Sequence, residues 1–140
     1  MPTTTFDAVR TAMFIGGGWR NPATAATIPV ISPLTEQQIG SVPEASVADV
    51  DAAVSAASDA FRSAQWRALT HAERAAYLRR FADALEARAE DRSIAVTREN
   101  GMPIELSRFA EGAAPVQLLR YYADLVETTS PEERRTSQPR

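Results

Sequence analysis

The chain has 140 residues, 44% hydrophobic and 24% charged, the proportions of one soluble globular domain with a real core. A net charge of −3 with interspersed signs excludes a nucleic-acid-binding stripe, and no apolar run approaches the ~20 residues of a membrane span. All 15 basic residues are arginine, cysteine is absent and His71 is the single histidine, which excludes lysine chemistry, thiolate nucleophiles, sulfur-bound metal and a His-rich metal cluster.

Residues 1–12 are polar and threonine-rich without a period and read as a flexible lead-in. They lack the basic-then-apolar layout of a secretory leader, so a cytoplasmic protein is expected. From Met13 to Ser32 the pattern is that of strands. The run Thr27, Ile28, Val30, Ile31 is interrupted by Pro29, which makes it an edge strand. "SPLTEQQIG" (32–40) predicts a turn into a second short strand, closed by Pro43.

Four helices follow. Ser46 and Asp49 approximate a capping box, and Val50, Val54, Ala57 and Phe61 fall on one stripe, predicting a helix over 47–64 with Trp66 in a connector. Thr70 and Glu73 open a second helix to about Arg88, with Ala75, Leu78, Phe81, Ala82 and Leu85 on its apolar face. Arg79 and Asp83, four apart on the outer face, predict an intrahelical ion pair. A third helix near 90–100 carries Ile94 and stops at Asn100-Gly101. Pro103 begins a fourth, running to about Glu127 through Leu106, Phe109, Val116, Leu119 and Tyr122. Pro115 lies inside it, so a kink or break is expected near Glu111–Ala114. From 128 to 140 the polar, proline-containing sequence reads as a disordered tail, and "RRTS" at 134–137 is a weak kinase pattern. No internal repeat is apparent.

The candidate sites are few. In "FIGGGWR" Gly16 and Gly18 match half of a dinucleotide fingerprint, but Asn21 occupies the third position and a strand, not a helix, follows. Gly16, Gly17 and Gly18 therefore read as a hairpin turn. His71, beside a capping threonine, lacks a nucleophile and an orienting acid nearby in sequence. Glu99 and Glu105 flank the Gly-Met-Pro turn and Glu111 lies near the kink. Their spacing does not bring them together, and solvated helix faces are their expected home. Trp66, Tyr121 and Tyr122 read as core or interface aromatics. A small enzyme built on His71 and acids would need convergence that the sequence does not show.

Six segments, in order, resemble the N-terminal region of the aldehyde dehydrogenase superfamily: "FIGGGWR", "TIPVISPLTEQQIGSVPEAS", "DVDAAVSAASDAF…W", "ERAAYLRRFADALEAR", "TRENGMPI" and "LLRYYADL". The resemblance spans about residues 14–127. Ser32 stands where the family commonly has asparagine, Gln37 or Gln38 where its turn usually has glycine, and Met102 where lysine is frequent.

The resemblance implies an α+β, mostly helical fold, a short β-hairpin and strands followed by four helices. Residues 13–127 would form a partial domain that packs around a Rossmann-like cofactor-binding domain. It implies NAD or NADP and an oxidation of aldehyde to carboxylic acid in the complete enzyme. That chemistry uses a cysteine nucleophile, a glutamate base and cofactor-binding units that find no counterpart among these residues. No catalytic, cofactor-binding or metal residue is therefore carried over, and no cofactor is expected on this chain alone. Some family members hold a cation on main-chain carbonyls near the positions of Val30 and Ile31, but the acidic partner is displaced, with Ala113 or Glu111 nearby.

The expected role is an N-terminal fragment, truncated or split and inactive alone. The alternative is a helical interaction module that joins a full-length paralogue or a separately encoded remainder. Phe61, Leu78, Leu85, Leu106 and Tyr122 are the expected stranded apolar surface. Its partners would be the remainder of the enzyme or another copy of the chain, and neither nucleic acid nor membrane.

Overall fold

The computed structural model describes residues 8–129; the lead-in through residue 7 and the region 130–140, including "RRTS", lie outside the described residues. Two small sheets precede a helical half. Strands β2 (Met13–Ile15) and β3 (Gly18–Arg20) form an antiparallel hairpin. Its two-residue loop is Gly16-Gly17, with φ of 65° and 81°, the left-handed pair that a tight hairpin needs. Phe14 and Trp19 face each other across it with rings 5.4 Å apart, edge to face.

The second sheet has the order β1-β5-β4. Strand β4 (Thr27–Ile31) lies at its edge and pairs antiparallel with β5 (Gln38–Pro43), as Pro29 requires. The flexible lead-in expected over residues 1–12 does not hold at residues 8 and 9. Ala8–Val9 form β1, parallel to β5 at Gly40 and Ser41, because β5 would otherwise leave one edge unpaired.

The β4–β5 turn corrects the expected glycine position. Its left-handed residue is Glu36, at φ 57°, not Gln37 or Gln38. The Ser32 carbonyl accepts from Glu36 N at 2.8 Å, and Ser32 N donates to Gln37 O at 2.9 Å.

The first helix, α1 (Val47–Arg62), starts on the expected capping box. Asp49 accepts from Ser46 N at 2.9 Å and Ser46 Oγ at 2.7 Å. It also accepts from Ala23 N at 3.1 Å, which staples the preceding loop to the helix. After the short α2 (Ala64–Arg67), which contains Trp66, the Thr70–Glu73 box opens α3 (His71–Glu86). Helix α4 (Ala89–Asn100) ends on Gly101 at φ 78°. A Cβ there would come within 3.1 Å of Pro33, so this glycine serves both the turn and the contact with the β4–β5 turn.

The fourth expected helix is resolved into three parts. These are α5 (Ile104–Ser107), a π-helical segment (Arg108–Ala113) and α6 (Ala114–Thr128). The predicted irregularity is a π-bulge rather than a break, and it carries Pro115 into the first turn of α6.

Helices α3 and α6 pack antiparallel, with Ala75, Ala82, Val116 and Ala123 buried between them. The expected Arg79–Asp83 pair within α3 does not form. Arg79 instead crosses to Asp124 (2.8 Å) and Glu127 (2.6 Å), while Arg120 crosses back to Asp83 (3.0 Å) and Glu86 (2.7 Å). Cross-helix carboxylates offer each guanidinium two partners, where its own helix offers one. The same pattern, R-x-x-A-D-x-x-E, occupies 79–86 and 120–127, a short repetition in a chain read as having no internal repeat.

Among the described residues the largest fully buried side chains are two serines, Ser93 and Ser107. The core is thin. Phe61, on the α1 stripe, is 83% exposed, and Leu106 and Tyr122 are about half exposed. Leu78 and Leu85 depart from the expectation: both are half-buried because they border the α3–α6 seam. No described helix is long and apolar enough to cross a membrane.

Two outcomes test these local devices. Glu36→Gly relieves a left-handed φ that costs an L-residue about 1–2 kcal/mol, so it raises stability by up to ~1 kcal/mol in urea unfolding after glycine's own entropy is set against it. Hydrogen bonds from Ser46 hold the Asp49 carboxyl below its ordinary 3.8, and bonds from Thr70 hold Glu73 below 4.5. Stability from these depressed groups is present above the ordinary values and lost as pH falls through the folded ones. The thermal midpoint therefore drops on acidification below about pH 5, and a D49N/E73Q variant starts lower at neutral pH but shows a flatter acid limb.

Candidate functional site

Among the described residues, those singled out by sequence each have a definite place and do not converge. Gly16 and Gly17 form the hairpin loop and Gly18 begins β3, so no helix N-terminus follows them to receive a phosphate. Space for a Cβ exists at Gly17 and Gly18; at Gly16 it would touch Ala56 of α1 at 3.6 Å, which shows where the hairpin leans on the helix.

His71 is the first residue of α3 and lines a recess of about 310 Å³ with Arg74, Tyr122, Leu125, Val126 and Thr129. No carboxylate among the described residues lines that recess, so none of them is placed to orient the imidazole there. Glu105 is exposed and bound to Arg108 at 2.6 Å. Glu99 is exposed near the end of α4, and Glu111 lies in the π-helical segment. Trp66 packs edge to face on Tyr77, and Tyr121 on Tyr122, in local pairs rather than a stacking platform. Val30 and Ile31 sit at a bulge of β4, and the described residues contain no group of three or more acids or histidines placed to hold a metal.

A cleft of about 360 Å³ lies where α3 and α4 meet the π-helical segment and α6. Its charged residues are Glu86, Glu90, Arg108 and Arg120. They are already matched: Arg108 binds Glu90 at 2.7 Å, and Arg120 binds Glu86. Arg120 holds the Glu86 carboxyl below its usual range, and Arg108 does the same to Glu90. Both guanidinium pKa values are raised by these carboxylate bonds. The acids are thus fixed as carboxylates and the arginines as cations, and neither is poised to move a proton at neutral pH. Ser93, at the floor, donates its hydroxyl to Ala89 O at 2.8 Å and has no base to activate it.

What the cleft does contain is a tight helix crossing. Ser107 Oγ donates to Ser93 O at 2.8 Å, and a Cβ on Gly112 would reach Ser93 Oγ at 3.0 Å. Small residues let α4 approach the bulged helix closely. Pro115 has no amide to donate to the carbonyl four residues back, that of Glu111. Arg92 Nη2 fills that role, donating to Glu111 O at 2.7 Å and Gly112 O at 3.0 Å. Sequence reasoning missed Arg92, Ser93, Ser107 and Gly112. The available signal was Pro115 itself, since a freed carbonyl inside a protein requires a donor from elsewhere.

The cleft is thus a close helix crossing whose charged side chains are already paired with one another. Comparison with known proteins gives the chain's lineage. The aldehyde dehydrogenase family model matches residues 19–140. The chain is 43% identical over 125 residues to geranial dehydrogenase of Castellaniella defragrans, covering 89% of this chain and 26% of that protein. It is 36% identical to betaine aldehyde dehydrogenase 1 of Oryza sativa subsp. japonica, over 89% of this chain and 25% of that one. Among solved structures, the Mycobacterium tuberculosis aldehyde dehydrogenase complexed with NAD+ superposes with a TM-score of 0.84 at 31% identity, covering 94% of this chain and 27% of that chain. The chain belongs to the aldehyde dehydrogenase family. It spans about a quarter of the length of these relatives and corresponds to their N-terminal region.

Arg92→Met leaves two carbonyls of the bulged helix without their donor. The expected loss is about 1–3 kcal/mol in chemical denaturation, with Arg92→Lys intermediate because one ammonium replaces a fork.

Proposed function

We propose that these residues are the N-terminal scaffold of an NAD(P)-dependent aldehyde dehydrogenase, and that alone they neither bind the cofactor nor oxidise an aldehyde. The observation that carries this reading is a family match over most of the chain in a sequence with no cysteine to attack a carbonyl. The matched acid–base pairs of the cleft add no substitute, since Glu86 and Glu90 are held ionised by arginine.

The scaffold's work is mechanical. It presents a hairpin, an edge strand and apolar helix faces for a larger body to rest against, and the family's aldehyde chemistry takes place on that body. The relatives' names include geranial and betaine aldehyde dehydrogenases, so geranial and betaine aldehyde are the first substrates to try.

A second reading, an interaction module that joins a paralogue or a separately encoded remainder, is supported by one specific feature. Val50, Val54 and Phe61 of the α1 stripe are each at least half exposed.

The test is a spectrophotometric assay of the purified 140-residue chain with NAD+ or NADP+ and both aldehydes. No reduced nicotinamide above the no-protein control is expected. Turnover that follows the chain through purification would sink the scaffold reading.

A further inference from the structure

Along α3 the seam residues are Ala75, Leu78, Ala82 and Leu85, and along α6 they are Val116, Leu119, Ala123 and Val126, each buried or half-buried. Both series repeat every seven residues, which is two helical turns less about 20°, so the seam nearly matches itself when one helix slides by that distance. In the observed register Ala82 lies opposite Ala123, since Arg79 reaches Asp124 and Glu127 while Arg120 reaches Asp83 and Glu86. A slide of seven residues, ~10 Å along the axis, sets Ala75 opposite Ala123 and Ala82 opposite Val116. Small residues again meet small residues, so the apolar pattern admits both positions.

The charges do not. In that slide Arg79 arrives opposite Arg120. The slide in the other direction brings Asp124 to Glu86, and Glu127 to Asp83 and Glu86. Like charges placed side by side on neighbouring turns repel. Of the three positions, only the observed one joins opposite charges. There each guanidinium grips a glutamate through both terminal nitrogens. Arg79 holds Glu127 at 2.9 and 2.6 Å, and Arg120 holds Glu86 at 3.1 and 2.7 Å. One nitrogen of each also donates to an aspartate, Asp124 or Asp83. Two-point contacts fix direction as well as distance. Among the described residues, the side-chain hydrogen bonds between α3 and α6 are those of these two arginines. The bonds of Arg92 and Ser107 tie α4 to the bulged helix instead.

We propose that the six charges are a register lock, selecting among the positions that the seam accepts the one at which α6 rests on α3. Their part is discrimination more than strength, because exposed ion pairs singly add little to stability. The seam needs such a device. Its buried side chains are alanines and one valine, which offer no large projections to set the register by shape. Charged side chains flanking an apolar helix seam set its register in the same way in coiled coils.

The experiment places two nitroxide labels on the full chain and measures their separation by pulsed electron paramagnetic resonance. The chain has no cysteine, so Ala72→Cys and Gln117→Cys, both at exposed positions, take the labels alone. These sites lie toward opposite ends of the seam. The first slide therefore shortens their separation by up to ~10 Å, and the second lengthens it by as much. With the charges intact a single separation is expected. Arg79→Met with Arg120→Met removes the repulsion that guards the first slide and should raise the population at shifted distances at least tenfold, with helical circular dichroism kept. Arg62→Met, which removes an ion pair within α1, should leave the single separation unchanged. Exchanging all six signs (Arg79→Glu, Asp83→Arg, Glu86→Arg, Arg120→Glu, Asp124→Arg and Glu127→Arg) keeps every pairing and should keep the parent separation. That variant decides the matter should the double methionine variant lose its helical signal. A double methionine variant that stays helical at the parent separation, or a six-sign exchange that departs from it, overturns the proposal.

Discussion

The seam between α3 and α6 is the contact on which the helical half depends. It is made of small residues, Ala75, Ala82 and Ala123 with Val116, so the two backbones approach closely and the charged side chains beside them can span the gap. Each helix supplies an arginine followed by acids four and seven residues later. In antiparallel register each arginine then meets the partner's two acids, and all six charges are used. The rest of the helical chain serves to bring α6 back alongside α3. Gly101 turns it after α4, and the π-bulge redirects it before Pro115.

A seam of alanines has a cost. Small side chains bury little area, and no large side chain among the described residues is fully enclosed. The large apolar residues lie instead on outer faces of α1, α3 and α6, where a family member of four times the length has more chain to set against them. The polar groups of the cleft are likewise engaged. The cleft's carboxylates are taken up by arginines, and its serine hydroxyl by a backbone carbonyl.

The features legible in the sequence are those whose cause lies within a few residues. Glycine pairs make a tight hairpin, Ser46–Asp49 and Thr70–Glu73 start helices, Gly101 ends one, and Pro115 disturbs one. Illegible features have partners far along the chain. Arg79 and Asp83 satisfy every rule for an intrahelical pair, yet carboxylates 45 and 48 residues away compete for the arginine and win. Ala8–Val9 carry no strand signal of their own; they are a strand because β5 has an open edge. The role of Arg92 was hidden for the same reason, since the carbonyls it caps are 19 and 20 residues distant.

The sequence by itself determined the succession from the hairpin through β5 to the long helices, their capped ends, the family resemblance and the absence of cysteine. Those follow from residue types and short spacings, which local sterics and hydrogen bonding read directly. Only the tertiary structure decided which charges pair, which leucines are covered and that two octets 41 residues apart form a two-fold contact. These depend on the antiparallel return of α6 against α3, and a pattern of residues along one chain does not state which of its faces will meet.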